Sequence, residues 1–402
     1  VPLETYIPRN TGQFFMIKKC DFLVVGAGIA GASAAYELAL QGDVILLERE
    51  AHPDYHSTGR SAAIFLETYG GATVRALTLG SRAFYENPPE GFSDTPLVQP
   101  RGALFMATEA SLPKLSAHFD TVSQMVKTAK WLDAGDLHKL LPCLRREIWV
   151  AGAWEPDAQD LDVNAIHQGF LRGFRRCGGV LRVDTGLISA RRRQGIWHVQ
   201  TTTGTIETPY LVNAAGAWCD AVAEAAGVRP IGLTPLRRTA ITFDAPDETA
   251  RWPYFGDIAE SFYVKPDAGC LLASPCDETP VEACDVAPEE YDVAVIADRV
   301  ERMTTLPVKR ILSKWAGLRT FSADRTPVAG WAPDAEGFFW LAGQGGYGIQ
   351  TAPAMALCCK SLMLDNHLPA NLAAFGVTPS NLSPQRFHTS PSTAASTQVY
   401  AA

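Results

Sequence analysis

The chain has 402 residues, 47% hydrophobic and 19% charged, with a formal net charge of −8. That is ample for a sizeable core in two or three domain-sized units, and it excludes a disordered chain, which would be poorer in apolar residues. The acidic excess argues against a nucleic-acid partner, whose phosphates need basic stripes. Nine scattered cysteines without CxxC spacing argue against a disulfide framework or a metal site and suit a reducing cytosol.

Residues 1–15 show neither helical nor strand period and read as an N-terminal extension. Residues 22–36 are chargeless and follow Lys18 and Lys19, so they imitate a signal peptide, but fifteen residues are too few to cross a bilayer. The same run reads better as a strand, Asp21 to Val25, feeding Gly26-Ala27-Gly28-Ile29-Ala30-Gly31 and a helix that stops near Gly42. A second strand, Val44 to Leu47, ends on Glu48. In this pattern Gly26 makes the tight turn, Gly28 admits a pyrophosphate and Gly31 lets helix and strand pack. Glu48, twenty residues after Gly28, is placed for a ribose hydroxyl pair and disfavours a 2′-phosphorylated nucleotide. The pattern alone leaves NAD and FAD open.

Further along, Val163, Ile166, Phe170, Leu171 and Phe174 give residues 162–177 an amphipathic helical period, with Arg172, Arg175 and Arg176 on a solvated face. Three strands are expected at Leu187–Arg193, Ile196–Thr202 and Thr205–Asn213, turning at Gln194-Gly195 and Thr203-Gly204. The last runs into Ala214-Ala215-Gly216-Ala217-Trp218 and a helix. A final strand, Phe338 to Ala342, enters Gly343-Gln344-Gly345-Gly346-Tyr347-Gly348-Ile349-Gln350. A second glycine-rich junction suits a cofactor with two distant ends, a flavin ring and an adenosine. From Thr378 onward Ser, Thr, Pro and Ala dominate, as in a disordered tail.

The segments GAGIAGAS, LLERE, YHSTGRSAA, IHQGFLRG, LVNAAGAWCDA, ESFYVKPDAG, WAGLRTF and GQGGYGIQT occur in family order over about residues 20–385. On them the chain resembles the glycine/D-amino acid oxidase family of FAD-dependent oxidoreductases, and within it the bacterial D-arginine dehydrogenase type. The resemblance implies an α/β fold. A Rossmann-like FAD domain (16–85, 150–220, 315–377) would interleave with a smaller α+β substrate domain (86–149, 221–314) on a mixed or antiparallel sheet. FAD, bound without a covalent link, would lie on Gly26, Gly28, Ile29, Ala30, Gly31, Glu48 and Arg49, then on Ser57, Thr58, Arg60, Ser61, Ala62 and Ala63. Ile188, Ala215, Gly216 and Trp218 would complete the adenosine side. Gly345, Gly346, Tyr347, Gly348, Ile349 and Gln350 would meet the flavin.

Oxidising an amino acid in such an enzyme moves a hydride from Cα to the flavin N5, and the imine hydrolyses to a 2-oxo acid and ammonia. The resemblance makes Arg319 the carboxylate clamp, with Arg238 in the same pocket and Tyr263 and Tyr69 lining and covering the substrate. A guanidinium suits the task because its planar fork grips a carboxylate and stays charged. N–H groups from Gly346 to Ile349 would stabilise negative charge on the flavin, and two guanidinia would favour a neutral amine. Ile64, Ala103, Tyr254 and Gln350 would face the substrate. Ile64 and Ala103 stand where the D-arginine dehydrogenase type has a histidine and an acidic residue, so neutral or hydrophobic D-amino acids are expected over D-arginine. A secondary amine, glycine or a 2-hydroxy acid is the alternative on the same scaffold, and a non-catalytic flavin protein a more remote one. The electron acceptor, oxygen, quinone or protein, is unreadable. A cytoplasmic protein is expected, with peripheral membrane contact left open. No metal is expected.

Overall fold

The computed structural model describes residues 18–387, so the expected extension at 1–15 lies outside the described residues. Phe22–Val25 is buried on both faces and is a central strand of a six-stranded sheet. Its neighbours are Val44–Leu47 and Tyr210–Asn213, both parallel to it. Val180–Arg182 extends one side, and Phe338–Ala342 with antiparallel Val328–Trp331 the other. Strand alternation sends Phe22, Val24, Val44 and Leu46 to one face, where the helices Ile29–Ala39, Val163–Arg176 and Gly348–Leu364 cover them. Leu23, Val25, Ile45 and Leu47 point to the other face, against Trp197, Val199 and Ile206 of a small antiparallel sheet.

That small sheet differs from its sequence reading at one point. The expected third strand, 205–213, is two strands, Gly204–Thr208 and Tyr210–Asn213, in different sheets. Pro209 stands between them and has no N–H to continue the ladder. Arg172 and Arg176 are also not merely solvated, since they donate to the carbonyls of Phe92 (2.6 Å) and Gly91 (2.8 Å).

The second body is a mixed nine-stranded sheet. Its central run is Thr234–Asp244, Cys270–Ser274, Tyr263–Asp267, Tyr254–Asp257, Ala103–Ala107 and Ala151–Glu155, parallel only between Tyr254–Asp257 and Ala103–Ala107. One face buries Leu104, Ile241, Phe255 and Val264 against the helix Glu290–Met303 and its surroundings. Ile311–Phe321 pairs with Thr234–Asp244 from Thr234 to Phe243, so a boundary at 315 would cut through a strand of this sheet. Ala151–Glu155 belongs to the same sheet, which moves the boundary expected at 150 past it.

The chain does not become featureless at Thr378. Thr378 caps a short helix, Pro379–Leu382, whose Leu382 is fully buried. Arg386 then donates to Asp324 at 2.8 Å. Burial of one leucine and this ion pair order the polar segment through Phe387, and residues 388–402 lie outside the described residues. Among the described residues no helix is long and apolar enough to cross a membrane, and no His, Cys, Asp and Glu group could hold a metal. The nine cysteines are free.

Candidate active site

A single long cavity runs from the first glycine turn to the large sheet. At one end it is lined by Gly26, Gly28, Ile29, Ala30, Glu48, Arg49, Ala215, Gly216 and Trp218, and then by Ser57, Thr58, Arg60, Ser61 and Ala62. At the other it meets Arg238, Tyr263, Arg319, Gly345, Gly346, Gly348 and Ile349. Residues far apart in sequence thus share one wall because both glycine junctions sit at the same ends of Phe22–Val25 and Phe338–Ala342, the parallel strands on either side of Tyr210–Asn213, beside helix starts.

The first junction is shaped by what a side chain would strike. Gly26 has φ +95°, and a Cβ at Gly31 would lie 1.8 Å from the Gly26 carbonyl oxygen. A Cβ at Gly28 would enter the cavity 3.1 Å from Thr58 Oγ1. Thr58 Oγ1 accepts from the Ile29 N–H at 3.0 Å, and the next N–H groups of this first turn have no intrahelical acceptor. Beneath the turn, His167 Nε2 lies 2.8 Å from the Ala27 carbonyl, and burial pushes this imidazole's pKa down.

Glu48 accepts from the N–H groups of Ala27 (2.9 Å) and Glu50 (3.0 Å). Burial nevertheless raises its carboxyl pKa, with those N–H groups opposing. Each oxygen thus carries one backbone donor, leaving lone pairs for a diol. Arg49 stacks on Trp218 at 4.1 Å, and His56 lies 3.0 Å from Glu50 and 4.6 Å from the Trp218 ring. The loop carrying Ser57 and Arg60 is tied to the strand that bears Arg319. Ser57 donates to the Leu318 carbonyl at 2.6 Å, and Arg60 to the Ala316 carbonyl at 3.1 Å.

At the far end, Arg319 lines the wall with no carboxylate within ion-pair distance among the described residues. Tyr69 lies 3.5 Å from its Nη1, and a Cβ at Gly346 would sit 3.0 Å from the same nitrogen and press on the guanidinium. Tyr263 and Tyr254 stack at 5.3 Å, and burial raises both phenol pKa values, keeping them as O–H donors. Arg238 is different. It donates to the Asp277 carbonyl at 2.8 Å and to Glu278 at 3.1 Å, and Glu278 also receives both terminal nitrogens of Arg325. Its charge is therefore partly compensated by a carboxylate it shares with Arg325, and the expected pair of free guanidinia reduces to one.

Ile64, Ala103, Tyr69 and Tyr254 join Leu66, Phe105 and Ala158 in one apolar cluster next to this wall. Gln350 is not among the lining residues. Its Oε1 accepts from the Leu66 N–H (3.3 Å) and its Nε2 donates to Thr78 (3.0 Å), so the side chain is spent between elements. Tyr347 buries its ring against Tyr69 and Phe321, and its N–H bonds the Gln344 carbonyl. Gly31 and Ala63 stand behind the wall. Ile188 is 60% exposed, and Leu187 lines the cavity in its stead, because the strand is irregular between Leu187 and Ser189 and reverses the expected side.

Sequence reasoning missed three groups here. Gln344 lines the cavity with its Nε2 buried and unpartnered among the described residues, and its place in the second glycine run was the available signal. His56 lies in the quoted YHSTGRSAA segment. Glu278, which pairs with Arg238, has no sequence signal, since the pairing is made across 40 residues.

The sequence model of the family described as DAO, FAD dependent oxidoreductase, matches residues 21–361. The chain belongs to this family. It is similar to mitochondrial dimethylglycine dehydrogenase of Rattus norvegicus, 24% identical over 88% of this chain and 44% of that protein. The chain thus spans less than half the length of that relative. Glycine oxidase of Geobacillus kaustophilus is 22% identical over 90% of this chain and 98% of its own. In fold, the crystal structure of glycine oxidase from Geobacillus kaustophilus superposes with a TM-score of 0.79 at 21% identity, covering 89% of this chain and 98% of that one. The D-arginine dehydrogenase type is not shown by these likenesses, whereas the FAD-dependent family is. The cavity fits the family's cofactor. A Cβ at Gly28 would crowd Thr58 Oγ1 on the cavity wall, both helix starts offer unspent N–H groups, Glu48 keeps free lone pairs, and Gln344 keeps an unpartnered amide beside the second junction.

Proposed function

We propose that this family member oxidises the C–N bond of an α-amino acid, preferring neutral or hydrophobic D-amino acids. The observation that carries the reading is Arg319, a cavity-facing guanidinium with no carboxylate partner among the described residues. A half-buried, uncompensated cation on a cavity wall is stabilised when an anion joins it, and a substrate carboxylate is the anion that this reaction class supplies. FAD, when bound, supplies the two-electron acceptor.

The residues divide the remaining work. Arg319, with the Tyr69 hydroxyl beside it, holds the carboxylate and so fixes which face of Cα is presented. Tyr263 closes the compartment as a neutral donor, and Tyr254, which does not line the cavity, backs it by stacking on its ring. The N–H groups of Gly348 and Ile349, which open the last long helix, stabilise negative charge at the second junction; the Tyr347 N–H is already engaged. FAD is held without a covalent bond in this reading, since Cys358 and Cys359 are buried in the helix layer. The apolar cluster of Ile64, Leu66 and Ala103 supports a side chain without charge.

A second reading, oxidation of glycine or an N-alkyl glycine, is favoured by the likeness to glycine oxidase and dimethylglycine dehydrogenase. Anaerobic bleaching of the holoenzyme by D-amino acids, L-amino acids, N-methyl amines and 2-hydroxy acids separates these. Fastest bleaching by neutral D-amino acids is expected. Bleaching led by N-methylglycine or by D-arginine would overturn the preferred substrate.

A further inference from the structure

Behind the tyrosine wall lies a polar group that the proposed chemistry does not use. Glu155 ends the strand Ala151–Glu155 and is only 2% exposed. No Lys or Arg lies within ion-pair distance of it among the described residues; His118 Nε2, otherwise unpartnered, is 3.7 Å away. A carboxylate so buried needs donors. The one it has is the Thr68 hydroxyl, at 2.9 Å from one oxygen and 2.8 Å from the other. Thr68 is itself buried and immediately precedes Tyr69.

No strand ladder holds that residue, whose ring packs against Tyr347 while its backbone is left to the turn. The segment Leu66–Gly71 is not a regular element, and the Tyr69 N–H makes only a 3.2 Å bond to the Leu66 carbonyl inside the same turn. Gly70 follows with φ +83°, where a Cβ would strike Val74 and the Tyr347 ring, so the turn is shaped to aim Tyr69 at Arg319. Ala103 pairs across the sheet with Glu155 and along it with Tyr254, which places the anchor on the face that carries the substrate wall.

We propose that Glu155 and Thr68 form an anchor between the large sheet and the Tyr69 turn, which positions the Tyr69 hydroxyl against Arg319 and thereby sets affinity for the substrate carboxylate. Both are positioning residues that act through Tyr69. The proposal rests on the reading of Arg319 as the carboxylate clamp.

The test is a double-mutant cycle on the holoenzyme between Thr68→Val, which keeps the shape and deletes the hydroxyl, and Tyr69→Phe. Losing a hydrogen bond to a charged group corresponds to about a tenfold rise in KM, with kcat within about twofold. Thr68→Ser should restore the wild-type value, and the double variant should be no worse than Tyr69→Phe alone. Glu155→Asp, which keeps the charge but shortens the reach, should behave like Thr68→Val and serves if the latter does not fold. Amide exchange at residues 67–71 should quicken in Thr68→Val and not in Thr68→Ser. Unchanged KM and exchange in Thr68→Val, or effects of Thr68→Val and Tyr69→Phe that multiply independently, would overturn the anchor. A wild-type enzyme that oxidises no amino acid or amine would refute the reaction, while the exchange comparison would still decide the anchor.

Discussion

Arg238 and Glu278 form an ion pair at 3.1 Å on the cavity wall, and Glu278 is shared with Arg325, so the two arginines expected to act together are electrostatically unequal. Arg319 carries the uncompensated charge. Glu278 is held below the usual carboxylate range, burial being outweighed by Arg325 and the neighbouring guanidinia, so the pair persists across the neutral range.

The first expectation follows directly. Arg319→Met should reduce kcat/KM by about 2–5 kcal/mol, the cost of removing one partner of a desolvated charge pair. Arg238→Met should cost clearly less, because Glu278 keeps Arg325. Steady-state kinetics with the substrate identified by bleaching would check the order; equal losses would contradict it.

The second and third glycines of the first turn should fail differently. Gly31→Ala places a Cβ 1.8 Å from backbone, so the helix must move off the sheet, and thermal stability should fall by about 1–3 kcal/mol. At Gly28 the nearest atom is a threonine hydroxyl at 3.1 Å and the methyl points into the cavity, so Gly28→Ala should lose flavin more than stability. Melting curves and the flavin-to-protein absorbance ratio separate the two.

Glu48→Gln should weaken FAD binding by about 1.5–3 kcal/mol, since a charged acceptor for the ribose becomes a neutral one. Flavin fluorescence on titrating the apoprotein measures this. An unchanged affinity would remove Glu48 from the ribose site.

His167 gives a pH dependence of stability. Burial lowers its folded pKa, while the unfolded imidazole takes up a proton near 6.5. The unfolded chain therefore binds more protons below that value, so the stabilisation is intact above about pH 6.5 and is lost as pH falls toward the folded pKa. Denaturant midpoints at about pH 8 and 5.5 should differ less in His167→Gln than in the parent.

Much of this molecule was legible along the chain. The order strand, glycines, helix, strand, acid is a local pattern, and each part keeps its meaning wherever the chain goes: Gly31 abuts the Gly26 carbonyl and Glu48 lines the cavity. Strand interiors such as Phe22–Val25 were readable because burial on both faces demands an unbroken apolar run. Single-residue sides were less so. Leu187 rather than Ile188 faces the cavity because one irregularity reverses a period of two, and composition carries no trace of it.

The sequence by itself determined the family, the cofactor and the two glycine junctions, since those depend on backbone shape and residue type at short spacing. Tertiary structure alone decided which charges are free. Glu278 pairs with Arg238, Thr68 meets Glu155, and Gln350 turns away from the cavity to Thr78. Each is a contact between segments 40 to 272 residues apart. The energy of a buried charge or amide depends on its neighbours in space, and those neighbours exist only once the chain has folded.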